Sequence, residues 1–331
     1  MSAFRDVPVL VTGADGFIGS HLVERLLAEG AAVRALCLYN PNGAHGWLDE
    51  VDPDLLGEVD LRLGDIRDQG FVEDAVRGVD VVLHLAALIA IPYSYLAPAS
   101  FVDTNVSGTL HVLEAARRAR VGRVIHTSTS EVYGTPATLP ITEDHPLRAQ
   151  SPYSASKIAA DKLCEAWAFS FDVPVVIMRP FNTYGPRQSA RAVIPTILGQ
   201  LLAGVERVRL GSLHPRRDFT FVTDSVDGFV RMASAELEPG ETIQLGTGTA
   251  VSVGELFDLC CQVVGVEAHV DLDDERVRPR ESEVQVLVSD PTKAKNLLGW
   301  GPSVSLRDGL SRCAEWMKGR VNPRTAGIYQ R

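Results

Sequence analysis

A doubly wound α/β fold, with a parallel sheet covered on both faces and a smaller C-terminal α/β domain, is predicted by three features of this 331-residue sequence. Short β-branched runs alternate with amphipathic stretches through the first half, and a glycine triplet follows the first run. After Arg179 the alternation weakens, and Pro180, Gly185, Pro186, Pro195, Gly211 and Pro215 punctuate short segments.

The runs at residues 7–12, 33–38, 59–63, 79–85, 121–128 and 173–178 read as strands. Helical patterns between them make βαβ units, whose right-handed crossovers build a parallel sheet. Helices are expected over residues 17–29, 98–119, 151–171, 253–264 and 306–317. The 98–119 and 151–171 stretches are apolar on more than one face, so each needs more than one neighbour to bury it. Residues 1–180 are expected to form the first domain, with a return to it at about 220–260, and residues 181–331 mainly the second. No linker separates them, so the two share a cleft.

With 45% apolar and 22% charged residues, the chain is a core-forming, soluble one of one or two domains. Its 28 glycines and 19 prolines are too few for collagen-like or low-complexity material. A formal charge of −10 without clustered Lys and Arg argues against nucleic acid as a partner. The N-terminus lacks a secretory h-region. The most apolar stretch, residues 79–91, contains Asp80 and His84 and falls short of the roughly 20 residues that span a bilayer, so no membrane segment is expected. Cys37, Cys164, Cys260, Cys261 and Cys313 form an odd set without CxxC spacing, which suits the reducing cytoplasm and gives no metal site.

The first strand runs into Thr12-Gly13-Ala14-Asp15-Gly16-Phe17-Ile18-Gly19, a G-x-x-G-x-x-G spacing that opens a helix. Glycine permits the tight turn, close approach of backbone to a pyrophosphate, and packing of helix on strand. Gly13, Asp15, Gly16, Phe17, Ile18 and Gly19 are therefore candidate dinucleotide contacts. An acidic residue near the end of the second strand normally holds the adenosine ribose, yet Cys37 stands about there. NAD and NADP both remain open, with Arg34 either a 2′-phosphate partner or an outward-facing strand residue. Asp65, after the third strand, either meets the adenine or caps its loop.

Tyr153 and Lys157 are four apart at the start of a helix and share one face. A nearby ammonium stabilises a phenolate and makes tyrosine usable as a base. At the end of the 121–128 strand, Thr127-Ser128-Thr129-Ser130-Glu131 carries a carboxylate towards the crevice where parallel sheets place ligands. Glu131 is either a catalytic acid/base or a solvated residue of a capped turn. His84 reads as a packed strand-end residue.

Residues 12–19, His84-Leu85-Ala86-Ala87, Asn105-Val106-Ser107-Gly108-Thr109, Tyr153-x-x-x-Lys157, residues 179–186 and Arg217-Asp218-Phe219 together resemble the extended short-chain dehydrogenase/reductases. The resemblance covers almost the whole chain and is to the NAD-dependent epimerase/dehydratase group acting on nucleotide sugars. It implies a Rossmann domain, bound NAD with NADP not excluded, a nucleotide-sugar partner, and a homodimer formed through the two long helices. It carries cofactor contacts to Ile66, Leu85, Ala86, Ala87, Asn105 and Thr127 as well as Tyr153 and Lys157. Substrate contacts fall on Thr129, Asn182, Arg191, Arg217 and Arg280, and catalytic roles on Thr129, Ser130, Glu131, Tyr153 and Lys157.

Thr129-Ser130-Glu131 resembles the dehydratase triplet, where simple 4-epimerases have Ser-Ala-Thr. UDP-glucuronate decarboxylases share Thr-Ser-Glu-Val-Tyr-Gly. Residues 86–95 and 186–191 resemble 4,6-dehydratases of the legionaminic acid pathway, which act on a nucleotide-linked N-acetylglucosamine. The resemblance thus implies 4,6-dehydration, with 4-epimerisation or decarboxylation as alternatives on the same chemistry. A dinucleotide-binding regulator without chemistry is the remaining reading, against which the intact Thr129, Tyr153 and Lys157 argue.

Overall fold

Seven parallel strands form the main sheet of the computed structural model, which describes residues 3–324 and 326–328. In chain order the strands are β1 (Pro8–Thr12), β2 (Ala32–Leu38), β3 (Asp60–Gly64), β4 (Val81–His84), β5 (Arg123–Thr127), β6 (Val175–Pro180), β7 (Asn182–Tyr184), β8 (Arg207–Leu210), β9 (Arg216–Phe221), β10 (Thr242–Leu245), β11 (Ala250–Ser252), β12 (His269–Leu272) and β13 (Val286–Leu287). The sheet order is β10-β6-β5-β4-β1-β2-β3, with every pair parallel. Strand order reverses beside β1, so a crevice opens at the carboxyl ends of β1 and β4.

Alternation along β1 shows how both faces are covered. Val9 and Val11 enter one core with Leu22, Val23 and Leu26, whereas Leu10 enters the opposite core with Val112, Leu113 and Val124. The Pro152–Phe171 helix begins where Ser151 accepts the Ser154 N–H in a reciprocal capping box. The stretch expected as one helix over 98–119 is helical throughout but not uniform. Pro98–Phe101 and Gly108–Ala119 are α-helical, and a π-helical segment, Val102–Ser107, lies between them. That wider turn carries Asn105, whose buried carboxamide is fully engaged with neighbouring groups.

Beyond β6 the chain builds a small mixed sheet, β11-β9-β13 with β7 on β9, and a separate β12-β8 pair. β10 joins the main sheet, and the preceding Val222–Ser234 helix lies against the Phe17–Ala28 helix. The Val193–Leu202, Val253–Val264 and Leu306–Met317 helices contribute to the larger core. Among the described residues no helix is long and apolar enough to cross a membrane.

Asp218 on β9 fastens this second region. Fully buried, it accepts the N–H of Thr247 (2.8 Å), Gly248 (3.0 Å) and Ser289 (3.1 Å) and the hydroxyls of Thr247 and Ser289 (both 2.7 Å). Removing the carboxylate takes the acceptor from the fully buried Ser289 N–H and hydroxyl and unties the Thr247–Gly248 turn. Asp218→Ala is expected to lower stability by about 3 kcal/mol or more, read as a lower urea midpoint at unchanged m-value.

Candidate active site

The glycine turn closes on the loop after β4. Gly13 has φ +68°, and a Cβ on it would lie 2.9 Å from Ala86 N; a Cβ on Gly19 would lie 2.1 Å from Gly13 O. The Phe17–Ala28 helix starts at Gly16 with no side-chain cap, so its first-turn N–H groups face the crevice with the positive end of the helix dipole. This cradle fits a pyrophosphate.

Behind it, Thr12 Oγ1 accepts the N–H of Leu85 and of Ala86 (both 3.1 Å) and donates to His84 Nδ1 (2.8 Å). His84 Nε2 donates to Thr109 Oγ1 (3.1 Å), which donates onward to the Asn105 carbonyl (2.7 Å). This sequence of donors assigns a neutral, Nε2-protonated imidazole. Burial, together with His126 and Lys157, holds its pKa well below the usual histidine range. Asn105 Oδ1 accepts the Leu88 N–H, and Nδ2 donates to Leu88 O and Ser156 Oγ. Its side-chain polar atoms are engaged within the protein and form a clamp between the β4 loop and the Tyr153 helix.

At the end of β2, Cys37 is fully buried and burial pushes its thiol up to about 12. Arg34 is ion-paired to Asp60 (2.7 Å) and donates to the carbonyls of Ala75 and Arg77, towards the amino end of β3. It therefore faces away from the carboxyl edge, as the outward-facing strand residue of the two readings. Asp65 caps its loop by accepting the Arg67 N–H (2.9 Å) and holds the Arg67 guanidinium (2.6 Å). Ile66 is buried beneath Gly108.

Tyr153 and Lys157 share one buried face of their helix. The Tyr153 ring packs edge-on against Phe101, with Leu88, Ile91 and Tyr95 completing an apolar wall. Lys157 Nζ donates to Thr127 O (2.6 Å). Burial pulls Lys157 down to about 8, opposed by Asp161 and Cys164. Burial also pushes the Tyr153 phenol well above its ordinary value; the Thr129 hydroxyl acts against this and Glu131 reinforces it. The lowered phenol expected from the Tyr/Lys spacing is thus reversed in the protein alone, because burial dominates. Thr129 Oγ1 accepts the Glu131 N–H (3.2 Å) at the start of the Ser130–Tyr133 turn, with Ser130 buried and Glu131 half-exposed.

On the facing side, buried Arg217 is ion-paired to Glu283 (3.1 Å), which also lies 3.7 Å from Arg278. Burial lowers the Arg217 pKa, while the negative charges of Glu131 and Glu283 oppose that. Buried Asn182 Oδ1, Gln188 Oε1 and Arg278 Nη1 make no hydrogen bond within the protein. Unsatisfied groups of both polarities at such a place fit a polar ligand. Arg280 sits on the exposed side of the Arg280–Ser282 turn, and Arg191 is exposed ahead of the Val193–Leu202 helix. The arginine gathered with Arg217 is Arg278, which belongs to the same Arg-rich run as Arg280; Gln188 carried no sequence signal beyond its neighbours. A separate groove of about 800 Å³ between residues such as Glu143, Lys162, Phe169 and Lys293 contains none of these side chains.

A nucleotide cradle at a switch point, a buried Tyr-x-x-x-Lys pair and a facing arginine cluster define a short-chain dehydrogenase/reductase site. The profile of the GDP-mannose 4,6 dehydratase family matches residues 10–313. The chain is 34% identical to UDP-glucose 4-epimerase of Mycolicibacterium smegmatis, covering 94% of this chain and 98% of the relative. It is 33% identical to dTDP-glucose 4,6-dehydratase of an Actinoplanes species, covering 94% and 97%. The crystal structure of DesIV, the dTDP-glucose 4,6-dehydratase of Streptomyces venezuelae with NAD and TYD bound, is similar with a TM-score of 0.82 at 34% identity, covering 95% and 97%. The protein belongs to this family of NAD-dependent nucleotide-sugar dehydratases and epimerases.

The lowered Lys157 pKa gives a pH signature. Between about 8 and the ordinary 10.5, the unfolded chain keeps a proton that the native state has released, so stability from this group rises with pH. Thermal melts of wild type and Lys157→Met at about pH 7 and about pH 9.5 are expected to show the wild type gaining on the variant at the higher pH. A gap independent of pH, or one moving the other way, contradicts the burial assignment.

Proposed function

We propose that the protein is a nucleotide-sugar 4,6-dehydratase that converts an NDP-N-acetylglucosamine to its 4-keto-6-deoxy form. The observation that carries this reading is the half-exposed Glu131 carboxylate just past the carboxyl end of β5, on the Ser130–Tyr133 turn that Thr129 opens. Relatives of similar identity include epimerases as well as dehydratases, so the distinction rests on this carboxylate. The N-acetylglucosamine assignment rests on the character of residues 86–95 and 186–191.

The cofactor in this reading is NAD, held by Gly13, Asp15, Gly16, Phe17, Ile18 and Gly19 at the pyrophosphate and adenosine end. Asp65 and Ile66 flank the adenine, and Leu85, Ala86, Ala87, Thr127, Tyr153 and Lys157 lie towards the nicotinamide. Held there, NAD+ would supply the hydride acceptor and donor for sugar C4 and C6, and its positive charge would favour the Tyr153 phenolate. Tyr153 Oη takes the 4-hydroxyl proton while Thr129 orients that hydroxyl. The resulting C4 ketone acidifies C5–H, and Glu131 removes that proton. Glu131 then protonates the departing 6-hydroxyl, which leaves as water, with Ser130 as a neighbouring hydroxyl rather than an acid; when hydride enters at C6, a solvent-derived proton is delivered to C5. Asn182, Arg217 and Arg278 hold the nucleotide diphosphate, since guanidinium forks match its oxygens.

Apolar Val102, Phe169 and Phe171, exposed on the two long helical stretches, support a homodimer through those elements. The five cysteines are all free thiols, in keeping with a reducing cytoplasm.

The test incubates the purified protein with NAD+ and UDP-, GDP- or dTDP-linked N-acetylglucosamine, glucose and glucuronate in deuterated water, followed by mass spectrometry. The expected product has lost water and gained deuterium at C5. An isomer that has lost no water identifies an epimerase, and loss of carbon dioxide a decarboxylase. Glu131→Gln is expected to bind NAD+ as wild type does and to slow dehydration by about 100-fold or more; undiminished turnover removes Glu131 from the mechanism.

A further inference from the structure

The end of β2 lacks the carboxylate that ordinarily reads the adenosine ribose, and another carboxylate stands at the same place. Cys37 is fully buried and faces the core, so it offers nothing to a ligand. The Leu38 N–H at the end of β2 donates instead to Asp15 Oδ2 (3.2 Å), which brings the carboxylate of the glycine turn to the strand end. One long hydrogen bond leaves most of a carboxylate's acceptor capacity available.

The neighbouring sequence is acidic, although Glu50 is paired with Arg320 (2.7 Å). Residues 36–58 contain no Lys or Arg and include Asp49, Glu50, Asp52, Asp54 and Glu58. His45 is turned to Asp49 (3.2 Å), Arg34 to Asp60, and Arg67 to Asp65. The 39–47 loop is fixed in this position. Asn40 donates to the carbonyls of Leu38 and Ala44 and accepts the N–H of Asn42 and Ala44, while the Trp47 N–H donates to the Asp15 carbonyl (3.0 Å).

We propose that Asp15 is the specificity-determining residue of the cofactor site: its carboxylate accepts the adenosine ribose hydroxyls of NAD and repels the 2′-phosphate of NADP. This rests on the dinucleotide site of the proposed function, and it transfers the discriminating charge from the second strand to the glycine turn. The requirement for an acceptor at the ribose is met by a residue that packs against the same backbone N–H.

The test is calorimetric titration of the full chain with NAD+ and with NADP+, without sugar. Wild type is expected to bind NAD+ at least about tenfold more tightly than NADP+, and Asp15→Asn to lose most of that ratio. Asn retains an acceptor for the Leu38 N–H, and a thermal melt confirms folding. A second variant, Tyr39→Arg, places a cation on an exposed position next to Leu38 and is expected to raise NADP+ affinity several-fold with NAD+ affinity little changed. A wild type that prefers NADP+, or an unchanged ratio in folded Asp15→Asn, overturns the assignment of Asp15 alone. Binding of neither dinucleotide overturns the proposed function as well.

Discussion

The catalytic face of the molecule depends on one carboxylate with no access to water. Asp161 lies one helical turn beyond Lys157 and two beyond Tyr153. Its Oδ2 accepts from Arg179 Nε (3.1 Å) and Nη2 (3.0 Å) and from Ser128 Oγ (2.9 Å), and Oδ1 lies 3.5 Å from His126 Nε2. Burial alone raises a carboxyl pKa, yet Asp161 sits below the usual range because its charged and hydrogen-bonding neighbours outweigh desolvation. The pair therefore stays ionised, and removing either partner leaves a buried charge uncompensated. Through it the helix carrying Tyr153 is fixed to β5 and β6. Ser128, which also donates its N–H to Met178 O (2.7 Å), immediately precedes the Thr129 to Glu131 triplet.

The same dry region explains why its histidines are neutral. His84 and His126 lie 5.5 Å apart between ring centroids, both within the field of Lys157. Burial and Lys157 bring His126 down to about 4 despite the opposing pull of Asp161. A proton on either ring would place another cation beside Lys157 in a region that hydrates none of them. Neutral His84 instead serves as a fixed link in the hydrogen-bonded chain from Thr12 to Asn105. That chain holds the loop after β4 at the height of the glycine turn, so the glycine cradle and the Tyr153 helix share one support.

Residues whose roles are local in sequence were the legible ones. The glycine triplet announces itself because each glycine answers a steric demand within a few residues. Tyr153 and Lys157 do so because a helix brings fourth neighbours together. Asp161 lies on the same stripe but looks like any polar helix residue until its partners on β5 and β6 are in place. Asn105 was legible as a motif and not as a clamp, because the π-helical segment that turns it inward has no distinct composition. Arg280 and Arg278 are two apart in a Pro-containing run, and only the turn at Arg280–Ser282 decides which of them reaches Glu283. The Tyr153 phenol departs from its spacing for a related reason: spacing reports the ammonium, whereas desolvation depends on Phe101 and Ile91 from elsewhere in the chain.

The two halves of the cleft are joined by contacts that cross them rather than by a hinge. Arg187, just after the Asn182 to Pro186 segment, forks onto Glu24 (2.7 and 3.0 Å) and reaches Ser20 Oγ (3.2 Å), both on the helix that begins at the glycine turn. His21 on that helix bonds Pro186 O (3.1 Å), and a Cβ on Gly185 would lie 2.5 Å from Val222 Cγ1. A bidentate guanidinium pair that is mostly buried resists shear more than a single contact does. The segment bearing Asn182 and Gln188 is thus carried on the cofactor-binding helix itself. A displacement of the glycine cradle is transmitted to the Asn182–Gln188 segment within the same set of bonds.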